Sequence, residues 1–245
     1  LPAGVKIVAV VRTLNESHRI ASFLHGYGAI ADKILVADGG STDSTLDIIS
    51  DYPKAEVRQY PGRLEMAGGH WRNNDSDHAN FLFSWAYELA PDWIIYDDCD
   101  CRPNYLLKRN ARALLEDTES DFVMAVRLYL WGLTRHFPHM AKPAAGHDRW
   151  EASLWAWRGS VDFWTVNVPP AYTFRIGDRA VADLRIDAKT LCLMPPLGLL
   201  HYSWDDEARV AEKVRLYRDS GLIRDQLHPL EFAGPLEPLP DWARE

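Results

Sequence analysis

Val5-Lys6-Ile7-Val8-Ala9-Val10-Val11 is apolar except at Lys6, rich in β-branched residues, and stops at the polar turn Arg12-Thr13-Leu14-Asn15-Glu16. Such a run reads as a strand buried on both faces, the form strands take in a parallel sheet covered by helices. Working outward, Ser17 is a plausible N-cap for a helix in which Ile20, Phe23, Leu24 and Tyr27 recur at helical spacing until Gly28. Lys33 to Ala37 reads as a second strand, running into Asp38-Gly39-Gly40-Ser41-Thr42-Asp43 and a helix through Leu46, Ile48 and Ile49. A third strand around Glu56 to Tyr60 precedes a helix with Phe81, Leu82, Trp85 and Leu89 on one face. A fourth, Trp93 to Tyr96, ends abruptly in Asp97-Asp98-Cys99-Asp100. Strands alternating with helices predict a doubly wound, mainly parallel α/β sheet with right-handed crossovers. Ligands of such sheets bind beyond the carboxyl ends of the strands, where each of these polar clusters falls.

Past Tyr105 the pattern predicts a helix over Leu106 to Leu115 and a strand over Phe122 to Trp131. Residues 131 to 200, rich in Trp, Pro and His without a clean period, read as an acceptor-facing region packed against the same sheet. Val210, Val214 and Tyr217 mark a further helix closed by Gly221, and the proline-rich stretch from Pro229 to Pro240 reads as extended over the surface. The expected organisation is one domain over 1–245: a ligand-binding half to 105, a second half to 228, and a tail.

The chain has 245 residues, 47% hydrophobic and 25% charged, with a net charge of −8, a balance that argues against a surface built to grip phosphate backbones. No stretch approaches the roughly 20 apolar residues of a membrane span. A cytoplasmic location is the default expectation, with Leu1 read as a trimmed or processed start. Three cysteines without repeated spacing suggest reduced thiols rather than a disulfide framework.

Asp98 and Asp100 place two carboxylates just after a buried strand, and hard cations such as Mn2+ or Mg2+ bind one or two carboxylates together with substrate phosphate oxygens. The glycines after Asp38, Gly40 among them, let backbone approach a ligand, while Asp38 can accept hydrogen bonds from a base or ribose. The same segment also reads simply as a turn into a capped helix. Gly26-Tyr27-Gly28-Ala29-Ile30-Ala31 fits G-x-G-x-x-A but follows a helix and precedes a strand, the reverse of dinucleotide binding. No P-loop and no G-x-S-x-G elbow is present.

Val10-Val11-Arg12-Thr13-Leu14-Asn15-Glu16, Asp38-Gly39-Gly40-Ser41-Thr42-Asp43 and Asp98-Cys99-Asp100, in that order, resemble glycosyltransferase family 2. The resemblance covers residues 5 to 105 and implies a GT-A fold with transfer of a sugar from a nucleoside-diphosphate donor, a UDP-sugar by preference, to an acceptor hydroxyl with inversion. It implies that Thr13, Asn15, Glu16 and Asp38 line the nucleoside pocket and that Asp98 and Asp100 hold ribose and metal. Gly39 stands where the family usually has a second Asp, and His78-Ala79-Asn80 stands where it often has an Arg-Asn pair. His78 and Asn80 are therefore expected among the nucleotide-sugar contacts, and Arg72 is the nearest arginine to face the diphosphate. His201, after Leu199-Leu200, resembles the late metal ligand of several GT-A enzymes, with a structural histidine as the alternative.

For the general base, Asp148 and Glu151 in Gly146-His147-Asp148-Arg149-Trp150-Glu151 lead, with Asp162 and Asp183 as contenders. Trp150, Trp155 and Trp157 are candidate sugar-stacking rings, although the alternation of Trp155 and Trp157 puts one face in the core. The acceptor classes considered are a glycan, a lipid-linked sugar, a small molecule, a protein and a modified nucleobase. Alternatives for the whole chain are a sugar-phosphate nucleotidyltransferase, which would carry a glycine-rich basic loop after the first strand, and a noncatalytic nucleotide-sugar-binding module.

Overall fold

The computed structural model describes residues 4–62, 66–67, 70–71, 75–131, 135–136, 152–168, 171–176, 179–180, 189–204 and 237–243. The first half runs β1 (Ile7–Thr13), α1 (Ile20–Gly28), β2 (Lys33–Asp38), α2 (Thr45–Ser50), β3 (Ala55–Gln59), β4 (Met66–Ala67), β5 (His70–Trp71), α3 (Asp75–Glu88), β6 (Trp93–Tyr96), β7 (Cys101–Pro103) and α4 (Tyr105–Asp117). The second runs β8 (Phe122–Trp131), β9 (Arg135–His136), β10 (Ala152–Arg158), β11 (Phe163–Val168), β12 (Ala171–Ile176), β13 (Arg179–Ala180), β14 (Thr190–Leu193), β15 (Leu199–Trp204) and β16 (Glu237–Pro238), then a 3-10 turn at Asp241–Ala243.

The parallel order β3-β2-β1-β6 is the doubly wound core that the alternation predicts, with Thr13 opposite Asp38 and Val10 opposite Tyr96. β1 is buried on both faces. Ile7, Ala9 and Val11 pack with α1, α2 and α4, while Val8 and Val10 pack with Ala79, Leu82, Phe83 and Ala86 of α3. Each large aliphatic side chain so buried contributes about 1.5–3 kcal/mol, so the sheet centre is the least tolerant part of the fold.

Beyond β6 the sheet departs from expectation. The second half does not merely pack against the sheet; β10 joins it, antiparallel between β6 and β8, and β14 and β15 run parallel to β8. Trp155 and Trp157 are both fully buried, so neither is a sugar platform. They fill opposite faces, Trp155 with α1 and α4, Trp157 against Phe83 and Phe163. The N-cap expectation at Ser17 is also corrected. Helix α1 starts at Ile20 with Arg19 at the cap and no side-chain cap bond, while Ser17 donates its N–H to Asp43. A true cap opens α4, where Asn104 Oδ1 accepts from Leu107 N at 2.9 Å and its Nδ2 donates to the Pro196 and Trp242 carbonyls. The tail is not simply laid over the surface, because Glu237–Pro238 pairs with β9 and Leu239 is buried beside Leu128, Leu130 and Leu200. The helix expected around Val210 to Tyr217 lies outside the described residues. Among the described residues no helix is long and apolar enough to cross a membrane.

Candidate functional site

The carboxyl ends of β1 and β2 are cross-braced. Asp38 is buried, and its carboxylate accepts from Gly40 N and Ser41 N at 2.9 Å each, from the Ser41 hydroxyl at 2.5 Å and from Thr13 Oγ1 at 3.2 Å. Gly40 sits at φ 103°, a conformation that glycine adopts without strain. Asn15, at φ 56°, accepts from Thr42 N at 2.8 Å and gives its own N–H to Ser41 Oγ, while Glu16 N donates to Thr45 Oγ1. Asp43 closes the brace. Desolvation alone would raise its carboxyl, but hydrogen bonds from Thr45 and Ser17 hold it at about 2. Thr13, Asn15, Glu16, Asp38 and Gly40 therefore lie together at the carboxyl ends of β1 and β2, and the side chains of Asp38 and Asn15 shape the loop pair.

His78 adjoins this pair and Asn80 does not. His78 is buried, stacked on Tyr60 with ring centres 4.5 Å apart, and its Nε2 lies 2.9 Å from the Ala37 carbonyl, so Nε2 carries the proton. Burial, and then the positive charge of Arg12, depress its pKa to about 4. A histidine depressed below its unfolded value of about 6.5 favours the fold above that value and loses this contribution as pH falls. Stability is expected to drop by about 3 kcal/mol between pH 6.5 and pH 4, read by urea melts, and a His78→Gln variant should flatten that window. Asn80 instead accepts from Thr165 N at 2.8 Å and donates to Thr165 O at 2.9 Å. A carboxamide matches a backbone N–H and C=O pair, so Asn80 anchors β11 rather than facing the loop ends.

The acidic run after β6 divides by burial. Asp97 is fully buried and accepts from the Tyr27 hydroxyl, from Arg127 Nη2 at 2.8 Å and from Asp98 N at 3.0 Å. Burial raises its carboxyl, opposed by Arg127, and burial followed by Asp97 raises the Tyr27 phenol. Asp98 is turned outward, its side chain 45% exposed, with Arg12 and Arg127 at 3.8 and 3.9 Å. Asp100 is mostly covered, with Arg19 at 3.8 Å on one oxygen and His201 Nε2 at 3.3 Å on the other. His201 reaches it because β15 pairs with β7, setting His201 opposite Cys101, and Tyr202 N donates to Asp100 O at 2.7 Å. Asp100, Cys101 and His201 offer donor atoms within 4.8 Å of one another. A carboxylate and an imidazole at this spacing fit a divalent cation. His18, Arg19, Ser22, Arg102 and Tyr202 line a cavity of about 290 Å³ next to Asp100.

Sequence reasoning missed Asp97, Arg12, Arg19 and Arg127 as site residues. Arg127 left a signal: a guanidinium inside the otherwise apolar strand Phe122–Trp131 needs a buried acid. Arg72, Asp148, Glu151, Trp150 and Asp183 lie outside the described residues. Asp162 is exposed and follows β10, whose last residue, Arg158, pairs with Trp93 at the amino end of β6, away from the acidic run. Cys99, Cys101 and Cys192 are free thiols.

No family model matches the chain. It is 26% identical over 157 residues to the uncharacterized proteins Rv3786c of Mycobacterium tuberculosis and Mb3815c of Mycobacterium bovis, an overlap of 62% of this chain and 37% of each relative. The chain thus spans little more than a third of the curated relatives it matches. Among solved structures, Staphylococcus aureus TarS superposes with a TM-score of 0.53 at 14% identity, over 89% of this chain and 39% of TarS. TarS 1–349 in complex with UDP gives 0.50 at 13% identity, over 89% and 64%. The likeness is one of fold, the GT-A-type α/β sheet.

Proposed function

We propose that the chain is an inverting glycosyltransferase that uses a nucleoside-diphosphate sugar and a divalent cation, Mn2+ or Mg2+. The observation that carries this is the approach of His201 to Asp100, from opposite halves of the sequence, in the acidic run after β6 that also carries Asp98, beside the braced Thr13–Asp38 loops at the carboxyl ends of β1, β2 and β6. A nucleoside diphosphate, UDP by preference, lies with its base against the loop pair and His78, and its phosphates extend toward Asp98. Asp100 and His201 would hold the cation. When bound, the cation neutralises charge on the departing diphosphate.

The chain's own residues divide the remaining work. Arg12 and Arg127 hold Asp98 from either side, so its orientation does not depend on the ligand. The acceptor oxygen forms a bond to the anomeric carbon as the bond to the diphosphate oxygen breaks, the diphosphate leaves with the electron pair, and the hydroxyl proton passes to a carboxylate. Asp148 or Glu151 is proposed as that carboxylate, because the chain enters β10 with Ala152 paired to Val126, on the site side of the sheet. The acceptor is a hydroxyl compound of unspecified class.

Isothermal titration of a panel of nucleoside diphosphates and nucleotide sugars, with Mn2+ and with chelator, tests the reading. Binding of one nucleotide that chelator abolishes is expected; indifference to every nucleotide would end the proposal. His201→Ala should weaken Mn2+ about tenfold or more while the nucleotide loop stays intact. A fall in melting temperature with unchanged Mn2+ affinity would make His201 structural.

A further inference from the structure

Cys101 has no part in the function proposed above, yet it stands among the residues that would hold the cation. Its Sγ is 3.7 Å from Asp100 Oδ1, the same oxygen that lies 3.3 Å from His201 Nε2. All three donor atoms fall within 4.8 Å of one another. Tetrahedral coordination with bonds of about 2.0–2.1 Å to nitrogen, about 2.1 Å to oxygen and about 2.3 Å to sulfur requires N–O and S–O separations of roughly 3.4 and 3.6 Å. An octahedral Mg2+ shell with bonds of about 2.0–2.1 Å requires neighbouring oxygens only about 2.9 Å apart. The N–O and S–O separations match the tetrahedral values, and the Sγ–Nε2 separation lies within 4.8 Å.

We propose that Asp100 Oδ1, Cys101 Sγ and His201 Nε2 form a three-donor site for a borderline-soft divalent cation of the Zn2+ type, with Cys101 as a direct ligand. The site is fixed by backbone pairing, because β7 and β15 set Cys101 opposite His201 and tie Tyr202 N to Asp100 O. Arg19 approaches the other oxygen of Asp100, Oδ2, and so leaves Oδ1 directed at the other two donors. Both Asp100 and Cys101 line the cavity of about 290 Å³, which supplies a path for the ion and room for a water as fourth ligand. On binding, the sulfur–metal bond forms, the S–H bond breaks and the proton passes to water, so no oxidant is involved. Thiolate plus imidazole favours Zn2+ over Mn2+, in line with the general affinity order of divalent metals. The site shares Asp100 and His201 with the cation of the proposed function and rests on that reading for one consequence: Zn2+ there displaces the harder ion and silences nucleotide-dependent turnover.

Co2+ is the probe, titrated into the purified chain without nucleotide. The expected spectrum carries the near-ultraviolet thiolate-to-cobalt charge-transfer band and the strong visible absorption of four-coordinate Co2+, both lost on adding Zn2+. Cys101→Ser should lose the charge-transfer band and bind Co2+ about tenfold or more weakly, and Cys99→Ser should keep it. No charge-transfer band from the unaltered chain at saturating Co2+ overturns the inference, as does a band that survives Cys101→Ser. Because the unaltered chain gives the primary reading, poor folding of a variant cannot mask the result. Mn2+-dependent nucleotide binding without the cobalt–thiolate band overturns this site and leaves the proposed function standing; the band without such nucleotide binding does the reverse.

Discussion

Asp100→Ala will bind nucleoside diphosphate equally with Mn2+ and with chelator, and its Mn2+ affinity will fall by about 100-fold or more. The estimate starts from the 10–100-fold cost of losing even a residue that only supports a metal ligand, which a ligand itself should match or exceed. The side chain lies outside the apolar clusters of the sheet, and its partners include Arg19, His201 and the Cys101 thiol. Far-ultraviolet circular dichroism and the melting temperature should therefore change little. Asp100→Asn separates charge from shape, since a carboxamide keeps the hydrogen-bonding outline but is a poor ligand for a hard cation. If Asp100→Ala keeps the metal dependence of the unaltered chain, the acidic run is not the metal site and the functional proposal loses its support.

Arg127→Ala will cost about 3–5 kcal/mol of folding stability, the penalty for leaving a buried charge without its partner. Asp97 is wholly buried and raised by burial already, and Arg127 opposes that rise. Removing the guanidinium leaves the carboxylate with the Tyr27 hydroxyl, the Asp98 N–H and the Cys101 thiol. Those neutral donors do not replace a positive charge at low dielectric. The matching double variant, Arg127→Met with Asp97→Asn, should recover much of the loss, because a buried pair replaced as a pair costs far less than a pair broken. Urea denaturation of the unaltered chain, Arg127→Met, Asp97→Asn and the double variant gives the cycle. A loss below about 1 kcal/mol for Arg127→Ala would mean that solvent reaches Asp97 and that the pair is a surface-grade ion pair.

The two predictions bear on what can be read from a chain alone. Strands β2, β6 and β8 were legible nearly to the residue, because a strand covered on both faces is apolar along most of its length, whereas β1 runs on through Arg12 and Thr13, which still pair with β2. The loop residues Thr13 to Glu16 and Asp38 to Asp43 were legible as a group because they follow such apolar runs. The insertion of β10 between β6 and β8 was not, since pairing across a sheet is chosen by the partner strand and leaves no period in the sequence. Asp97 was hidden by its neighbours: three acids within four residues look alike in sequence, and only burial separates Asp97 from the more accessible Asp98 and Asp100. Asn80 was misjudged because a polar residue on a helix near a site can equally satisfy the backbone of a strand packed on that helix.

The pairing of β15 with β7 has a kinetic consequence. The unit β1-α1-β2-α2-β3 is built from contacts between chain neighbours, which form early and cheaply, whereas His201 reaches Asp100 only when a strand from late in the sequence closes a long loop onto β7. A chain interrupted during synthesis, or clipped before Leu199, would lack the imidazole. On the proposed function, cation affinity would then be acquired late, and its appearance during refolding would report closure of β15 onto β7 rather than formation of the first half.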